Sequence, residues 1–161
     1  YSIHLALALL KNNERFEWCL EKATELGVSS ITPLIGEHCE KSKFNKERAL
    51  RTLQSAFKQS LNAYIPVLQP ELSVLDYVKL KRSGKTLMGH CYAEEAKTEL
   101  FFLAKSSSEY HLMIGPEGDF SLAEVQRAQE AGISSFSIGN QRFRTETAAI
   151  VAINRILCAL L

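Results

Sequence analysis

Two short stretches hold the residue types that chemistry needs. One is Ile114-Gly115-Pro116-Glu117-Gly118-Asp119-Phe120; the other, some twenty residues on, is Gly139-Asn140-Gln141-Arg142-Phe143-Arg144-Thr145-Glu146-Thr147-Ala148. Each begins where an apolar, strand-like run stops at glycine, and each leads into a helix-like segment, as ligand-holding loops of α/β proteins do. In the first, Pro116 fixes one φ angle, and the glycines allow the backbone to approach a ligand where a Cβ would collide. In the second, Arg144 stays charged, so it can hold a phosphate or a developing anion but cannot act as a base near neutral pH. Glu146 either accepts a proton or orients Arg144; the less favoured alternative is that the pair is only a salt bridge at a helix start. Thr145 either donates a hydrogen bond or only caps the helix. Two charges beside a glycine loop and ahead of an apolar helix favour function, so Arg144, Thr145 and Glu146 are the expected catalytic residues. Glu117, between proline and glycine, either binds ligand hydroxyls or accepts amide protons.

The elements that must position these loops follow from periodicity. Residues 110–114 form a short apolar run closed by glycine, a buried strand. Ser121 with Glu124 makes a capping box, Leu122, Val125 and Ala128 then share a helical face, and Gly132 closes that helix. Residues 133–138 alternate as a strand, and residues 145–161 form a helix apolar at 12 of 17 positions. Such a helix needs cover on most sides, either wholly within one subunit or partly from a second copy; a homodimer is expected. Upstream, strands are expected at 3–9, 28–34 and 86–92, the last holding Gly89-His90, with a short extended piece at 63–68. Helices are expected at 14–26 on Phe16, Leu20, Ala23 and Leu26, at 46–61 on Leu50, Leu53, Phe57 and Ser60, at 72–80 and at 95–102. This alternation makes an α/β fold, a mostly parallel sheet with helices on both faces and ligands at the carboxyl ends of strands.

With 161 residues, 46% hydrophobic and 23% charged, the chain suits one globular domain with a sizeable core. No apolar run is long enough to span a membrane, and the first ten residues lack a signal peptide's cleavage pattern, so a cytoplasmic protein is expected. Cys19, Cys39, Cys91 and Cys158 are scattered without paired ligand spacing, and neither a disulfide nor a metal site is expected from them. A net charge of +1 does not announce a nucleic-acid protein. Yet Lys41, Lys43, Lys46, Arg48, Arg51 and Lys58 fall in one segment. They read either as a solvated helix face or as a phosphate-neutralising surface, in which Lys41, Lys43, Arg48, Arg51 and Lys58 contact RNA.

Gly115-Pro116-Glu117-Gly118 and Arg144-Thr145-Glu146-Thr147-Ala148, at this separation, resemble the signature of the RsmE family of ribosomal RNA small subunit methyltransferases, part of the SPOUT superfamily. The resemblance extends to residues 11–33, with Glu14-Arg15-Phe16-Glu17-Trp18 and Lys22-Ala23-Thr24-Glu25-Leu26-Gly27-Val28, and in kind to Lys58-Gln59-Ser60 and Ile65-Pro66. It implies a deep C-terminal trefoil knot, S-adenosylmethionine as donor, and methylation of N3 of a uridine in 16S rRNA of the small ribosomal subunit. It also implies dimeric action, each subunit completing its partner's pocket. By the same resemblance, Ile114, Gly115, Pro116, Glu117 and Gly118 shape one wall of the donor pocket and Ile138 with Gly139 another. Phe143, Thr147 and Ala148 join from the second motif, and Gly89 with His90 complete the site, although His90 alone reads first as a structural histidine. The chemistry requires the two reacting atoms in line and an exit for the N3 proton; the donor is already an activated electrophile, so no metal is needed. Because N3 is hidden in a base pair, the expected target is single-stranded or splayed-out RNA.

Two departures stand out. The family usually has glycine where Asp119 stands, and a shorter aliphatic approach to the arginine than Asn140-Gln141-Arg142-Phe143. Family members also begin with a small PUA-like RNA-binding barrel, so residues 1–161 are expected to be the catalytic domain of a longer protein. Two other classes stay open: a non-catalytic RNA-binding or ribosome-assembly module in which Asp119 is the lesion, and another nucleotide-dependent α/β enzyme. The second lacks both a P-loop lysine and dinucleotide-fingerprint spacing.

Overall fold

The central strand β1 (Ser2–Ala8) runs beside β2 (Ser30–Ile35) on one side and β7 (Glu109–Ile114) on the other, both parallel to it. The computed structural model describes residues 1–92, 95–105 and 107–160. Its sheet continues through β5 (Lys85–Gly89) and β8 (Ser134–Ser137) to the short edge strand β6 (Thr98–Glu99). At the other end β3 (Val67–Leu68) and β4 (Leu72–Ser73) both pair with β2. Every pairing among the described residues is parallel, in the order β3-β2-β1-β7-β5-β8-β6. A parallel sheet needs cover on both faces, and β1 and β7 carry the near-continuous apolar runs this demands.

Alternation along the strands divides the core in two. Leu5 and Leu7 pack with residues of α1 (Asn13–Glu25), α2 (Lys46–Ser60), α4 (Leu100–Leu103) and α6 (Thr145–Leu160). Ala6 and Ala8 pack with α3 (Val74–Lys79) and α5 (Leu122–Glu130) on the other side. The helices start where side chains can satisfy their first amides: the Asn12 carboxamide accepts from Glu14 and Arg15, Asn45 from Arg48, and Ser73 from Asp76. The capping box at α5 is complete, with the Glu124 amide donating to Ser121 and the Ser121 amide to the Glu124 carboxylate. Gly27 and Gly132, at φ +76° and +79°, end α1 and α5 as expected.

Several expectations shift. The strand expected at 86–92 ends at Gly89, and only Val67–Leu68 of 63–68 is a strand. The helix expected at 72–80 is preceded by β4. The helix expected at 95–102 is replaced by β6 and the single turn of α4. The Lys97 ammonium there donates to the carbonyls of His90 and Tyr92 and holds the approach extended. In α2 the buried stripe is Ala49, Leu53 and Ala56, while Leu50, one position off it, is exposed. Leu122, on the first turn of α5, likewise faces solvent. The C-terminal helix is as expected to Leu160; Leu161 lies outside the described residues. Strand β5 lies between β7 and β8, so the chain re-enters the sheet on both of its sides. That region is where the family resemblance puts the knot.

Candidate active site

Strands β5, β7 and β8 finish in register, with Gly89 opposite both Ile114 and Phe136. The loops leaving these three strand ends, together with the start of α6, surround a cavity of about 960 Å³. Both stretches singled out in the sequence meet there. Gly89, His90, Ile114, Gly115, Pro116 and Glu117 line it from one side; Ile138, Gly139, Phe143, Arg144, Thr145 and Ala148 line it from the other. Gly118, Glu146 and Thr147 are not among the lining residues. Two glycines are fixed by close approach: a Cβ on Gly89 would stand 2.7 Å from the Phe136 ring, and one on Gly115 would stand 3.0 Å from the Phe120 amide nitrogen. The cradle depends on their having no side chain.

The first loop is held from three directions. The Asp119 amide donates to the Pro116 carbonyl at 2.9 Å, closing a turn. Asp119 itself has φ +66°, the left-handed region that explains a glycine preference and that aspartate tolerates. Its carboxylate accepts from the Cys91 amide at 2.7 Å and from the Phe120 amide at 2.8 Å, joining the loop after β5 to the loop after β7. The departure from glycine is therefore compatible with the turn and supplies a clamp. Tyr92 donates to the Phe120 carbonyl at 2.7 Å, and the His38 ring bonds to the Gly118 carbonyl at 2.9 Å. Glu117 accepts the Lys11 amide at 3.1 Å, so of its two readings the structure has amide acceptance, from the loop after β1.

The three residues expected to be catalytic separate by burial. Arg144 is exposed at the rim, and its side chain makes no hydrogen bond or ion pair among the described residues. Thr145 is buried and lines the cavity. Glu146 is buried against α1, where one carboxylate oxygen lies 3.8 Å from the Arg15 guanidinium and the other has no partner among the described residues. The alternative reading, an Arg144–Glu146 salt bridge, does not form; Arg15 is the cation beside Glu146. Close by, Cys19 is buried under Glu146, and burial first, then that carboxylate, pushes its thiol up to about 12.

His90 is partly satisfied: Nε2 bonds with the Ser135 hydroxyl at 2.9 Å, whereas Nδ1 is buried without a partner among the described residues. Burial and then the Lys97 charge lower its pKa, against the opposing pull of Asp119 and Glu95. The cavity wall there is a neutral imidazole.

The basic segment is divided too. Arg48, Arg51 and Lys58 are exposed on one face of α2, while Lys41 donates to Asn13 at 2.7 Å and Lys43 is exposed before the helix. Arg48 pairs with Glu17 at 2.7 Å. It lines a groove of about 720 Å³ with Lys11, Arg15 and Glu117, and Glu117 also lines the first cavity. Lys11 and Arg15 escaped the residue-type reading because their charges are isolated in sequence; only the folding of the loop after β1 against Glu117 gathers them. Lys97 and Arg142, also lining the cavity, carry no sequence signal of their own.

The RNA methyltransferase domain family matches residues 1–157. Ribosomal RNA small subunit methyltransferase E of Rickettsia conorii is 30% identical over 157 residues, 96% of this chain and 64% of the relative. The chain thus spans less than two thirds of that relative's length. The crystal structure of a probable rRNA-methyltransferase from Porphyromonas gingivalis has a TM-score of 0.88 and 34% identity, covering 98% of this chain and 67% of that one. Ribosomal RNA small subunit methyltransferase E from Neisseria gonorrhoeae, in a crystal structure with bound S-adenosyl methionine, has a TM-score of 0.84 and 27% identity over 98% of this chain and 65% of that one. Matched along residues 1–157 and folded as these relatives are, the chain belongs to the RNA methyltransferase domain family, with RsmE-type proteins among its relatives.

Proposed function

We propose that the chain is the catalytic domain of a cytoplasmic methyltransferase that binds S-adenosylmethionine in the cavity at the ends of β5, β7 and β8 and methylates N3 of a uridine in 16S rRNA. The observation that carries this reading is that Glu117 lines both that cavity and the groove of Lys11, Arg15 and Arg48, which places the two side by side. One compartment suits a donor and the other a polyanion. The cavity fits the donor: Ile114, Pro116, Ile138 and Phe143 supply apolar walls, and Gly89 and Gly115 leave a cradle that a Cβ would fill.

When bound, the donor supplies a methyl group on a sulfonium, which displacement by nitrogen leaves as a thioether. The chain's task is alignment and charge. Backbone groups of Gly115, Glu117, Ile138 and Gly139 would hold the adenine edge and the amino-acid end. Arg144, exposed at the rim and without a side-chain partner among the described residues, stabilises the N3 anion as the proton passes to solvent water. Thr145 lines the site beside it and orients the base. Glu146 acts at one remove, fixing Arg15 and the start of α6. Arg48, Arg51 and Lys58, with Lys41 and Lys43 before them, lead the RNA backbone towards the groove.

The protein works as a homodimer. Ile150, Leu157 and Leu160 on α6 are only partly covered in the single chain, and a second copy completes their burial. Sedimentation equilibrium at micromolar concentration should give twice the chain mass; a monomer throughout would defeat this part.

The direct test is calorimetric titration with S-adenosylmethionine, followed by reverse transcription of treated 16S rRNA, because a methyl on N3 blocks base pairing. Ala148→Trp, which fills the cavity from α6, should abolish donor binding while circular dichroism stays unchanged. A folded wild-type protein that binds RNA but not the donor would favour a ribosome-assembly module instead.

A further inference from the structure

The amino end of the sheet, opposite the donor cavity, holds a second cluster. We propose that His4, Glu109 and His111 bind a divalent transition-metal ion, Zn²⁺ foremost, across the amino ends of β1 and β7. Sheet register creates the arrangement. His4 and His111 are directly paired residues of these parallel strands, and Glu109, two residues before His111, shares its face. The two imidazoles stack with centroids 4.5 Å apart and 13° between their planes.

Glu109 Oε1 lies 3.0 Å from His111 Nε2 and 3.7 Å from His4 Nε2, and one ligand atom from each residue lies within 4.8 Å of the others. A tetrahedral zinc with bonds of about 2.0–2.2 Å sets its ligand atoms about 3.3 Å apart, so binding requires the carboxylate to shift by a few tenths of an ångström and one imidazole to turn out of the stack, aiming its in-plane lone pair at the ion. Two imidazoles and a carboxylate are a donor set suited to zinc.

Neighbouring hydroxyls engage the second polar atom of two of these groups. The Ser30 hydroxyl lies 2.7 Å from His4 Nδ1, which leaves Nε2 for the ion, and the Ser83 hydroxyl donates to Glu109 Oε2 at 2.7 Å, which leaves Oε1. A cavity of about 420 Å³ lies against both histidines and has room for a water as fourth ligand. Arg82, on the same cavity, opposes a cation, but its guanidinium is engaged over the Tyr77 ring at 3.6 Å and on the Tyr77 carbonyl. An ion here ties the two central strands together and stabilises the folded chain by mass action.

The test is titration of tag-free, chelator-stripped protein with Zn²⁺ against a chromophoric chelator, and with Co²⁺ for its visible spectrum. One ion per chain is expected, with a cobalt spectrum of nitrogen and oxygen ligation lacking a thiolate charge-transfer band. Glu109→Gln and His4→Gln should each weaken binding at least about tenfold, and Ser30→Ala about tenfold through the lost orienting bond. Cys91→Ser with Cys158→Ser should leave it unchanged. Should His4→Gln fail to fold, Glu109→Gln, at a partly exposed position, decides the matter alone. Absence of stoichiometric binding, a thiolate band, or an affinity indifferent to Glu109→Gln would overturn the proposal.

Discussion

Asp119 and Cys91, 28 residues apart, are joined by a 2.7 Å hydrogen bond from the Cys91 amide to the Asp119 carboxylate. It locks the loop after β5 to the loop after β7, two of the three that enclose the cavity. Asp119→Ala removes this bond and the one to Phe120 while keeping an unfavourable positive φ, and should cost about 1–3 kcal/mol of stability and weaken donor binding. Asp119→Gly relieves the backbone and should cost less. Urea denaturation of the two variants checks the ordering; equal stabilities would mean that the carboxylate does not clamp.

Arg144 and Glu146 should separate in experiment. Because Arg144 is exposed and has no side-chain partner among the described residues, Arg144→Ala should alter stability by no more than about 0.5 kcal/mol, yet lower the methyl-transfer rate about a hundredfold or more with donor affinity nearly intact. Glu146→Gln sits on the buried side and should lower stability by about 1–3 kcal/mol through the weakened partnership with Arg15. Single-turnover rates beside thermal melts distinguish them.

The buried histidine at the cavity makes stability depend on pH. Burial and Lys97 hold His90 below its ordinary value of about 6.5, so the unfolded chain takes up a proton that the native chain refuses. Stability contributed by the neutral state is therefore whole above about pH 6.5 and falls as pH drops towards the native pKa. His4 and His111, also lowered mainly by burial, act in the same direction. The melting temperature in chelator-containing buffer should fall between pH 7 and 5, and His90→Gln should reduce that fall. An unchanged profile would contradict this account.

The basic face of α2 should act through phosphate charge. Arg51→Glu and Lys58→Glu, both exposed, should weaken RNA binding at low salt, flatten its salt dependence and leave S-adenosylmethionine affinity unaltered. Filter binding across a salt series measures this, and an unaltered slope would remove α2 from the RNA path.

What the amino-acid order determined by itself was local. Apolar runs stopping at Gly115 and Gly139 marked two strand ends, and Ser121 with Glu124 marked a helix start, because caps and glycine turns depend on neighbours within a few residues. The motifs around Gly115 and Arg144 were likewise legible as one site. Register and long-range pairing were not. That His4 faces His111, that Glu146 takes Arg15 as partner, and that Asp119 reaches Cys91 follow from how a parallel sheet brings distant strands side by side. Leu50 and Leu122 fit the apolar periodicity but lie outside the buried stripes, since neighbouring elements decide which side of a helix is covered. Local chemistry is written in adjacent residues; the partners of a side chain are chosen by packing, which only the tertiary structure resolves.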